Sequence, residues 1–504
     1  MGFTQLLDTL YFTPRYHKLE KYATHATEIQ QQVFRKLIKK AANTEWGKKY
    51  DFSTIQTYEE FSRRLPIQTY EEIKTYVNRM REGEQNLLWP SNIIWFAKSS
   101  GTTNDKSKFL PISKEFIHNT HFQGGIDAVA LYLHMNPKSR FFSGKGLILG
   151  GSHERNLSSN KSLVGDLSAI LIENLIPFGS YLRVPQKKIA LMSHFKEKME
   201  AIADTTMNQH VTNLSGVPSW MLVLIKRILE KSNKQSLDEV WPDLEVFFHG
   251  GVAFTPYRKQ YEELIRTPNM HYVETYNASE GYFATQSDLA DPSLLLMIDY
   301  GIFYEFIPLT DIDKENPRVY PLEEVELGKN YAMVISTAAG LWRYMIGDTV
   351  KFTSKNPYKI IITGRTKHFI NAFGEELIVD NAEKGLDRAC KLTGAQITEY
   401  TAAPVFMDQQ AKCRHQWLIE FTKMPDDLAR FSAILDETLK AINSDYEAKR
   451  QENIALQPLE VIVARKNLFN DWLEKKGKLG GQHKVPRLSN NRDYIEEMLQ
   501  LNHE

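Results

Sequence analysis

A cluster of hydroxyl side chains around one glycine constrains the fold of this chain more than any other stretch. Four hydroxyl residues flank Gly101: Ser99, Ser100, Thr102 and Thr103. Glycine tolerates positive φ, so the backbone here can approach an anion closely, and hydroxyls with free amides form a phosphate cradle. Residues 91–97 predict a short buried strand before the loop, and residues 114–135 predict a helix after it. The pattern favours phosphate binding, although an ordinary surface loop has the same composition.

Length, charge and cysteine content narrow the class of protein. The chain has 504 residues, which indicates two or more domains. Lys+Arg and Asp+Glu are equal at 62 each, which argues against a general nucleic-acid-binding protein. Because no run of about 18 apolar residues exists, we expect no membrane span. Cys390 and Cys413 lack metal-site or disulfide spacing, and we expect a reducing, cytoplasmic location.

Strands and helices alternate along the first two thirds of the chain. Apolar spacing predicts helices over 18–40 and 187–206, with a polar loop over 152–166. Residues rich in β-branched and aromatic side chains predict strands at 245–249, 270–276, 304–308 and 331–337. This alternation favours an α/β fold with sheets and flanking helices, and it places the chemistry in loops that follow strands.

A smaller unit follows. Beyond a change of character near 358–367, the sequence predicts helices at 382–392 and 428–442 and strands at 416–421 and 459–464. Helices and strands segregate there into an α+β pattern. We therefore predict a large N-terminal domain over 1–364 and a small C-terminal α+β domain over 365–504.

The stretch Tyr-Asn-Ala-Ser-Glu-Gly at 276–281 carries three candidate site residues. Tyr276 offers a ring face on which a nucleobase can stack. Ser279 offers a hydroxyl to a phosphate, and Glu280 offers a hard oxygen to Mg²⁺. A structural tyrosine and a surface glutamate are the alternative reading.

Two other stretches are weaker on their own. His-Gly-Gly-Val-Ala at 249–253 follows a predicted strand, and its two glycines permit a flat ring to lie on the backbone. Trp-Arg-Tyr-Met-Ile-Gly-Asp-Thr at 342–349 places Asp348 after a glycine, where its carboxylate can accept from two ribose hydroxyls. Taken in isolation, either stretch is better explained by a plain turn.

The order of the motifs is more specific than any one of them. A hydroxyl loop, Tyr-Asn-Ala-Ser-Glu, Arg-Tyr-Met-Ile-Gly-Asp and Gly-Arg at 364–365 resemble the motif series of the adenylate-forming superfamily. Ser-Ser-Gly-Thr-Thr is similar to the plant auxin-responsive acyl-acid amido synthetases (the Gretchen Hagen three family) and their bacterial relatives. Gln-His-Lys-Val-Pro-Arg at 482–487 resembles that family's C-terminal lysine motif. The resemblance covers nearly the whole chain.

The resemblance implies a role for each matching residue. ATP phosphates would be held by Ser99, Ser100, Thr102 and Thr103. The adenine would be lined by Gly251, Val252 and Ala253 and stacked by Tyr276. Phosphate and Mg²⁺ would be held around Asn277, Ser279 and Glu280, and the ribose by Asp348 and Arg365. Lys484 would reach the α-phosphate and the substrate carboxylate from a mobile C-terminal lid.

Some positions depart from the superfamily pattern. Lys367 stands where the hinge motif Gly-Arg-x-Asp has aspartate, and Asn371 stands where a lysine is often found. These changes leave the nucleotide site intact, but they put any hinge or thiol-channel role copied from the ligases in doubt. Asn277-Ala278 replaces Gly-Ser, which we expect to be tolerated.

The expected chemistry follows from charge. A carboxylate attacks the anionic α-phosphate of ATP only where fixed positive charge neutralises both groups. Mg²⁺ near Glu280 and the ammonium of Lys484 would supply it, although a solvated surface lysine is the commonest fate of any lysine. The acyl pocket is predicted from His121, Phe122, Val217 and Trp220, although each of them taken singly is more typical of a core residue.

Three functions remain open on the sequence. The leading one is an ATP-dependent acyl-acid amido synthetase that joins a small carboxylic acid to an amino acid through an acyl-adenylate. The alternatives are an acyl-CoA ligase with the same first half-reaction and a non-catalytic nucleotide-binding protein. The acid, the amine and the oligomeric state are not specified by the sequence.

Overall fold

The computed structural model describes residues 2–100, 107–252, 254–312, 314–366, 369–406, 413–451, 456–476 and 485–503. The chain forms two compact units. The first comprises Met1–Ser99, Phe109–Gly251 and Gln260–Thr366, and the second comprises Ser100–Lys108, Val252–Lys259 and Lys367–Glu504. The predicted domain boundary between residues 364 and 365 stays a prediction.

Most strands of the first unit form one large sheet. Its twelve strands have the order β12-β11-β13-β14-β15-β10-β9-β8-β7-β6-β3-β5, and β2-β1-β4 form a separate three-stranded sheet. The strands are β1 Trp95–Ser100, β2 Ser107–Ile112, β3 Lys145–Ile148, β4 Leu163–Gly165, β5 Arg183–Val184, β6 Val211–Gly216, β7 Val246–His249, β8 His271–Ala278, β9 Gly281–Asp288, β10 Asp291–Leu296, β11 Ile302–Pro308, β12 Tyr320–Pro321, β13 Asn330–Thr337, β14 Tyr344–Lys355 and β15 Tyr358–Arg365.

Helices flank these sheets. They are α1 Phe3–Leu7, α2 Thr13–Leu19, α3 Ala26–Ala41, α4 Glu45–Lys49, α5 Tyr58–Arg64, α6 Tyr70–Arg81, α7 Lys114–Phe116, α8 Gln123–Met135, α9 Leu167–Glu173, α10 Pro177–Tyr181, α11 Lys187–Ala190, α12 Phe195–Thr206, α13 Pro218–Ser232 and α14 Thr255–Leu264. The residues of α14 up to Lys259 are assigned to the second unit. A π-helical stretch, Ile117–Phe122, joins α7 to α8, so the predicted helix over 114–135 is confirmed.

The buried faces of the helices explain the main core. In α3 the apolar residues Phe34, Leu37, Ile38 and Ala41 recur at helical spacing and are buried. They join one cluster with sheet residues such as Phe303 and Ile302. The helix begins at Ala26 rather than at residue 18, because the chain makes a 3-10 turn over Glu20–Ala23 and His25 is not helical. The apolar spacing continues across this break, and spacing alone therefore cannot reveal it.

Other sequence predictions need similar correction. The predicted helix over 187–206 is two helices, α11 and α12. The predicted loop over 152–166 contains β4, which pairs in parallel with β1. Ser99 and Ser100 belong to β1, and the strand β2 precedes the helix after the hydroxyl loop.

The parallel part of the large sheet fixes the direction of its loops. β5, β3, β6, β7 and β8 run parallel to their neighbours, whereas β9 returns antiparallel to β8. The carboxyl ends of β3, β6, β7 and β8 therefore meet at one edge of the sheet. That edge is where ligands bind in open α/β sheets.

The second unit is a small α+β structure. Its elements are β16 Phe369–Ile370, β17 Leu377–Ile378, α15 Val379–Thr393, β18 Gln396–Val405, β19 Arg414–Lys423, α16 Leu428–Ile442, α17 Ser444–Arg450, β20 Glu460–Ala464, α18 Leu468–Lys475 and α19 Asp493–His503. β18 and β19 are antiparallel, and β20 joins β19 in parallel. Together with the first unit, these elements confirm the α/β class.

No helix in the described ranges is long and apolar enough to cross a membrane.

Candidate functional site

Small and polar residues follow the parallel strands where their carboxyl ends meet. β3 is followed by Gly150 and Gly151, β7 by Gly250 and Gly251, and β8 by the turn Ser279-Glu280. Gly250 cannot carry a side chain, because a Cβ there would lie 2.2 Å from the carbonyl oxygen of Thr275. Gly250 therefore lets β7 pack closely on β8, and the next residue, Gly251, is exposed at this edge of the sheet.

Three predicted nucleotide-site residues form one hydrogen-bonded chain. Tyr276 Oη donates to Asp348 Oδ2 at 2.6 Å, and Arg365 Nε donates to Asp348 Oδ1 at 2.8 Å. Asp348 and Arg365 face each other across β14 and β15. Gly347 adopts φ +92° immediately before Asp348, a conformation that favours glycine. The fold thus brings together residues that lie 72 and 17 positions apart in the sequence.

The electrostatics of these three residues define which of their groups donate and which accept hydrogen bonds. Burial, together with the negative charges of Asp348 and Glu280, raises the pKa of Tyr276 well above its usual value, and Arg365 opposes the rise. Tyr276 is therefore a protonated donor at neutral pH. A carboxylate offers about four lone-pair sites, so Asp348 retains acceptor capacity for hydroxyl groups of a ligand.

Glu280 lies near these three residues, and its charge acts on Tyr276. It is 7% exposed and lies in the two-residue turn between β8 and β9, where Ala278 pairs with Gly281. Ser279, in the same turn, is half-buried. Within the described part of the chain, no group of three or more His, Cys, Asp and Glu side chains could hold a metal ion. A dedicated all-protein metal cage is thus absent from those residues.

His121 and Asn277 form a second contact at the site. His121 Nδ1 lies 3.1 Å from Asn277 Oδ1. Since an amide oxygen only accepts, the assigned geometry puts the proton on Nδ1 and leaves a lone pair on Nε2. Nε2 is buried without a hydrogen-bond partner among the described residues. Burial lowers the pKa of His121 to about 4, and the Asn277 hydrogen bond offsets only part of this effect.

The remaining predicted residues are placed as follows. A Cβ on Gly251, which adopts φ +82°, would lie 3.5 Å from Val217 Cγ2, so these two positions are neighbours. Val252 is 8% exposed and belongs to the second unit. Phe122 is half-buried, with its ring 5.4 Å from that of His118, and Trp220 is half-buried in α13.

Several predicted residues cannot be placed. Thr102, Thr103, Ala253 and Lys484 lie outside the described residues, and so does Lys367. Ser99 is half-buried in β1, and only the backbone of Ser100 is described. Val485, which follows Lys484, is buried in the core of the second unit. Beyond it, Ala402 N donates to Arg487 O at 2.9 Å, which ties the chain after Lys484 to β18.

Sequence reasoning missed one buried lysine at this edge. Lys198 in α12 is 2% exposed, and its Nζ donates to Gly150 O at 2.5 Å and Gly151 O at 2.9 Å. Burial lowers the pKa of Lys198 to about 8, against a smaller effect of Asp166. The only sequence signal is its spacing, because Lys198 lies four residues before the buried Ile202.

Comparisons with known sequences cover most of the chain. The profile of the GH3 family N-terminal domain matches residues 15–270, that of the central domain matches 295–365, and that of the C-terminal domain matches 380–493. Indole-3-acetic acid-amido synthetase GH3.4 of Arabidopsis thaliana is 23% identical over 93% of this chain and 90% of its own length. Jasmonoyl–L-amino acid synthetase JAR4 of Nicotiana attenuata is 22% identical over 93% and 92%.

Solved structures share the fold. AtGH3.15 acyl acid amido synthetase in complex with 2,4-DB superposes with a TM-score of 0.63 at 18% identity, covering 97% of this chain and 95% of that chain. 2-Hydroxyisobutyryl-CoA ligase superposes with a TM-score of 0.55 at 13% identity, covering 95% and 92%.

Proposed function

Because the chain belongs to the GH3 family, we propose that it is an ATP-dependent acyl-acid amido synthetase. In the first half-reaction, a carboxylate oxygen of a small acid forms a bond to the α-phosphorus of ATP, and the bond to pyrophosphate breaks. In the second, the amine of an amino acid forms a bond to the acyl carbon. AMP then leaves with the electron pair of the C–O bond, and the amine's protons pass to solvent.

The hydrogen bonds that link Tyr276, Asp348 and Arg365 are the observation that best supports ATP as the substrate. They couple a half-buried carboxylate to two donors, at 2.6 and 2.8 Å, beside the parallel strand ends. We assign Asp348 to the ribose hydroxyls, because an oriented carboxylate with free lone pairs suits paired O–H donors. Arg365 holds that carboxylate in place through its 2.8 Å contact.

The backbone around Gly250 and Gly251 is assigned to the adenine. Gly250 packs its main chain closely on Thr275, and the exposed Gly251, with φ +82°, would present main chain to a flat ring. Val252 and Ala253 would continue this surface. Tyr276 would contribute the edge or face of its ring, since its hydroxyl is already committed to Asp348.

The phosphates are assigned to the hydroxyl loop and the β8–β9 turn. Ser99, Ser100, Thr102 and Thr103 would donate to phosphate oxygens, with Ser279 and Asn277 at the second strand end. Lys484 would bring positive charge to the α-phosphate and to the attacking carboxylate, where two anions must meet. The small domain over 365–504 would act as the mobile lid that delivers it.

Mg²⁺ fits this assignment. Mg²⁺ commonly binds through one or two carboxylates together with substrate phosphates and waters, rather than in an all-protein cage. Glu280, a single buried carboxylate next to Ser279, has that chemistry. Mg²⁺ held there would supply charge neutralisation at the phosphates.

The classes of the acyl donor and of the amine acceptor are inferred from the relatives. Those quoted above are named for indole-3-acetic acid and for a jasmonoyl amino acid, that is, for an organic acid joined to an amino acid. The acyl group is assigned to the region of His121, Phe122, Val217 and Trp220. The identity of the acid is left to the assay.

The test is a product assay on the purified full chain. A panel of carboxylic acids is incubated with ATP and Mg²⁺, together with either mixed amino acids or CoA, and products are identified by mass spectrometry. We expect an N-acyl amino acid and AMP. A thioester formed with CoA instead of an amide would assign the chain to the acyl-CoA ligases. ATP binding with no acid-dependent product would support a non-catalytic nucleotide-binding protein.

A further inference from the structure

His121 is a buried imidazole that makes one hydrogen bond with the described residues, to Asn277. It lies in the π-helical stretch Ile117–Phe122 and is 3% exposed. The ring of Phe116 packs edge-on against it, with the ring centroids 5.1 Å apart. π-helical turns are rare and occur frequently at functional sites. This packing fixes the imidazole so that its Nδ1–H donates to Asn277 Oδ1 at 3.1 Å.

The amide of Asn277 keeps its donor group available to a ligand. Its oxygen accepts from His121, and its nitrogen can only donate. Asn277 is half-buried, and its Nδ2 makes no hydrogen bond to any residue that the structure describes. This nitrogen is also not one of the buried polar atoms that lack a partner, so it is accessible to solvent. Two N–H groups are therefore available near the end of β8.

His121 decides which end of this amide faces outward. Rotating the amide of Asn277 by half a turn would set its N–H groups against the Nδ1 proton. The other histidine tautomer would relieve that clash only by placing a proton on Nε2, which is buried with no acceptor among the described residues. A buried donor without a partner destabilises such an arrangement. His121 therefore holds the amide with its oxygen inward and its N–H groups towards the accessible side.

Along β8 and the turn that follows it, Asn277 lies between residues assigned to different parts of ATP. It follows Tyr276, whose hydroxyl donates to Asp348, and it precedes Ser279 by two positions. The tyrosine thus serves the proposed ribose contact, whereas the amide is directed to the imidazole. The superfamily pattern has glycine at position 277, and glycine has no side-chain donor. This chain therefore carries a donor beside the proposed phosphate contacts that the pattern lacks.

Resting on the proposed function, we infer that His121 is a positioning residue for adenylation, which orients the amide of Asn277 so that it donates to the α-phosphate of ATP. A donor that is held in place before the reaction stabilises the negative charge of the phosphate oxygens while the carboxylate attacks. No reorientation is then needed during the reaction. Asn277 is accordingly a functional replacement for glycine, and His121 is the partner that this replacement requires.

A double-mutant cycle tests whether His121 acts through Asn277. The cycle compares the wild type, His121→Phe, Asn277→Ala and the double variant in acid-dependent pyrophosphate release. His121→Phe removes the Nδ1 proton and keeps a ring against Phe116. We expect each single variant to lower kcat by roughly 10-fold or more, the effect of one hydrogen bond to a charged group. We expect the double variant to lose no more than Asn277→Ala alone.

Two further measurements separate positioning from a general loss of structure. The Kd for ATP should stay within roughly 3-fold of the wild-type value in every variant, because the proposed ribose and adenine contacts remain. The KM for the acid should also stay close to the wild-type value. His134→Phe is the matched control and should retain kcat, because His134 is exposed at the end of α8 and stacks on Tyr16 with ring centroids 3.7 Å apart. If His121→Phe does not fold, His121→Leu replaces it in every comparison.

The outcomes distinguish this inference from the proposed function. Losses in kcat that multiply in the double variant would show that His121 acts independently of Asn277, for example by touching the acid, and would overturn the inference. An unchanged kcat in either single variant would overturn it as well. Both results leave the proposed function standing, because the wild type is active in them. A wild type without acid-dependent pyrophosphate release would overturn the proposed function and, with it, any role in adenylation.

Discussion

Asp348 is the residue through which the nucleotide site is best tested, because two donors of different chemistry meet on its carboxylate. Tyr276→Phe removes the 2.6 Å hydrogen bond and keeps the ring. We predict that it raises the Kd for ATP by about 3- to 10-fold, since one hydrogen bond that orients the carboxylate is lost. Isothermal calorimetry measures the change. Tyr58→Phe is the matched control, because it removes a comparable bond to Glu305 at 2.9 Å.

A Kd for ATP in Tyr276→Phe that equals the Kd of both the wild type and Tyr58→Phe would show that Asp348 does not need the tyrosine to bind ATP. The ribose assignment would then lose its structural support. A large loss of ATP affinity in both variants would indicate that the first unit is generally destabilised, which circular dichroism would reveal.

His121 gives a prediction about pH. Its folded-state pKa is about 4, below the value of about 6.5 for an unfolded histidine. Between these values the unfolded state binds more protons, so stability falls as the pH drops from 6.5 towards 4. The shift corresponds to about 3 kcal/mol of unfolding free energy. Urea denaturation at pH 7 and at pH 4.5 should show most of this loss in wild type and much less in His121→Gln.

His17→Gln, at an exposed position, is the control for the same series. It should follow the wild type at both pH values. A wild-type curve that matches His121→Gln at pH 4.5 would mean that the imidazole is not held neutral, and the lone pair assigned to Nε2 would be wrong.

Two adjacent glycines in helix α8 test how this helix packs on strand β9. A Cβ on Gly124 would lie 2.4 Å from the ring of Tyr282, whereas a Cβ on Gly125 would meet nothing within 4 Å. We predict that Gly124→Ala destabilises the protein by about 1–3 kcal/mol through overpacking. Gly125→Ala should stabilise it by about 0.5–1 kcal/mol, since alanine favours the helix. Equal midpoints in urea for the two variants would contradict the packing of α8 on β9.

Elements were predicted best where one pattern ran uninterrupted between clear breaks. The helix over 428–442 was found at its observed bounds, and the strands near 245–249 and 304–308 were found within a few residues. The helix over 18–40 was wrong at its start, because apolar spacing continues through the turn at Thr24 and His25. β4 was missed since a three-residue strand carries almost no pattern of its own.

The candidate site depends on motif order and not on a local pattern. Motif order groups Tyr276, Asp348 and Arg365, and the structure links them by two hydrogen bonds, while their role in binding a nucleotide stays a prediction. The pairing of His121 with Asn277 and the reach of Lys198 to the Gly150–Gly151 turn depend on how distant elements pack. No local pattern encodes such contacts, so sequence reasoning could not supply them.

Adenylation as proposed involves both ends of the molecule, because it requires a cation from the C-terminal part of the chain. We predict that Lys484→Ala lowers acid-dependent pyrophosphate release roughly 100-fold or more, while ATP binding persists because the ribose and adenine contacts remain. The control is Lys466→Ala, at an exposed position in the same part of the chain. Normal release in Lys484→Ala would remove this lysine from the mechanism.

The proposed function depends on an acyl-adenylate, and its reversible formation is measured by the exchange of radiolabelled pyrophosphate into ATP. The assay contains the full chain, Mg²⁺ and one carboxylic acid at a time, with no amino acid. We predict exchange that depends on the acid and that Asp348→Ala and Lys484→Ala both suppress. Exchange that is absent with every acid, while an amide still forms when an amino acid is added, would contradict the adenylate and require a different activated intermediate.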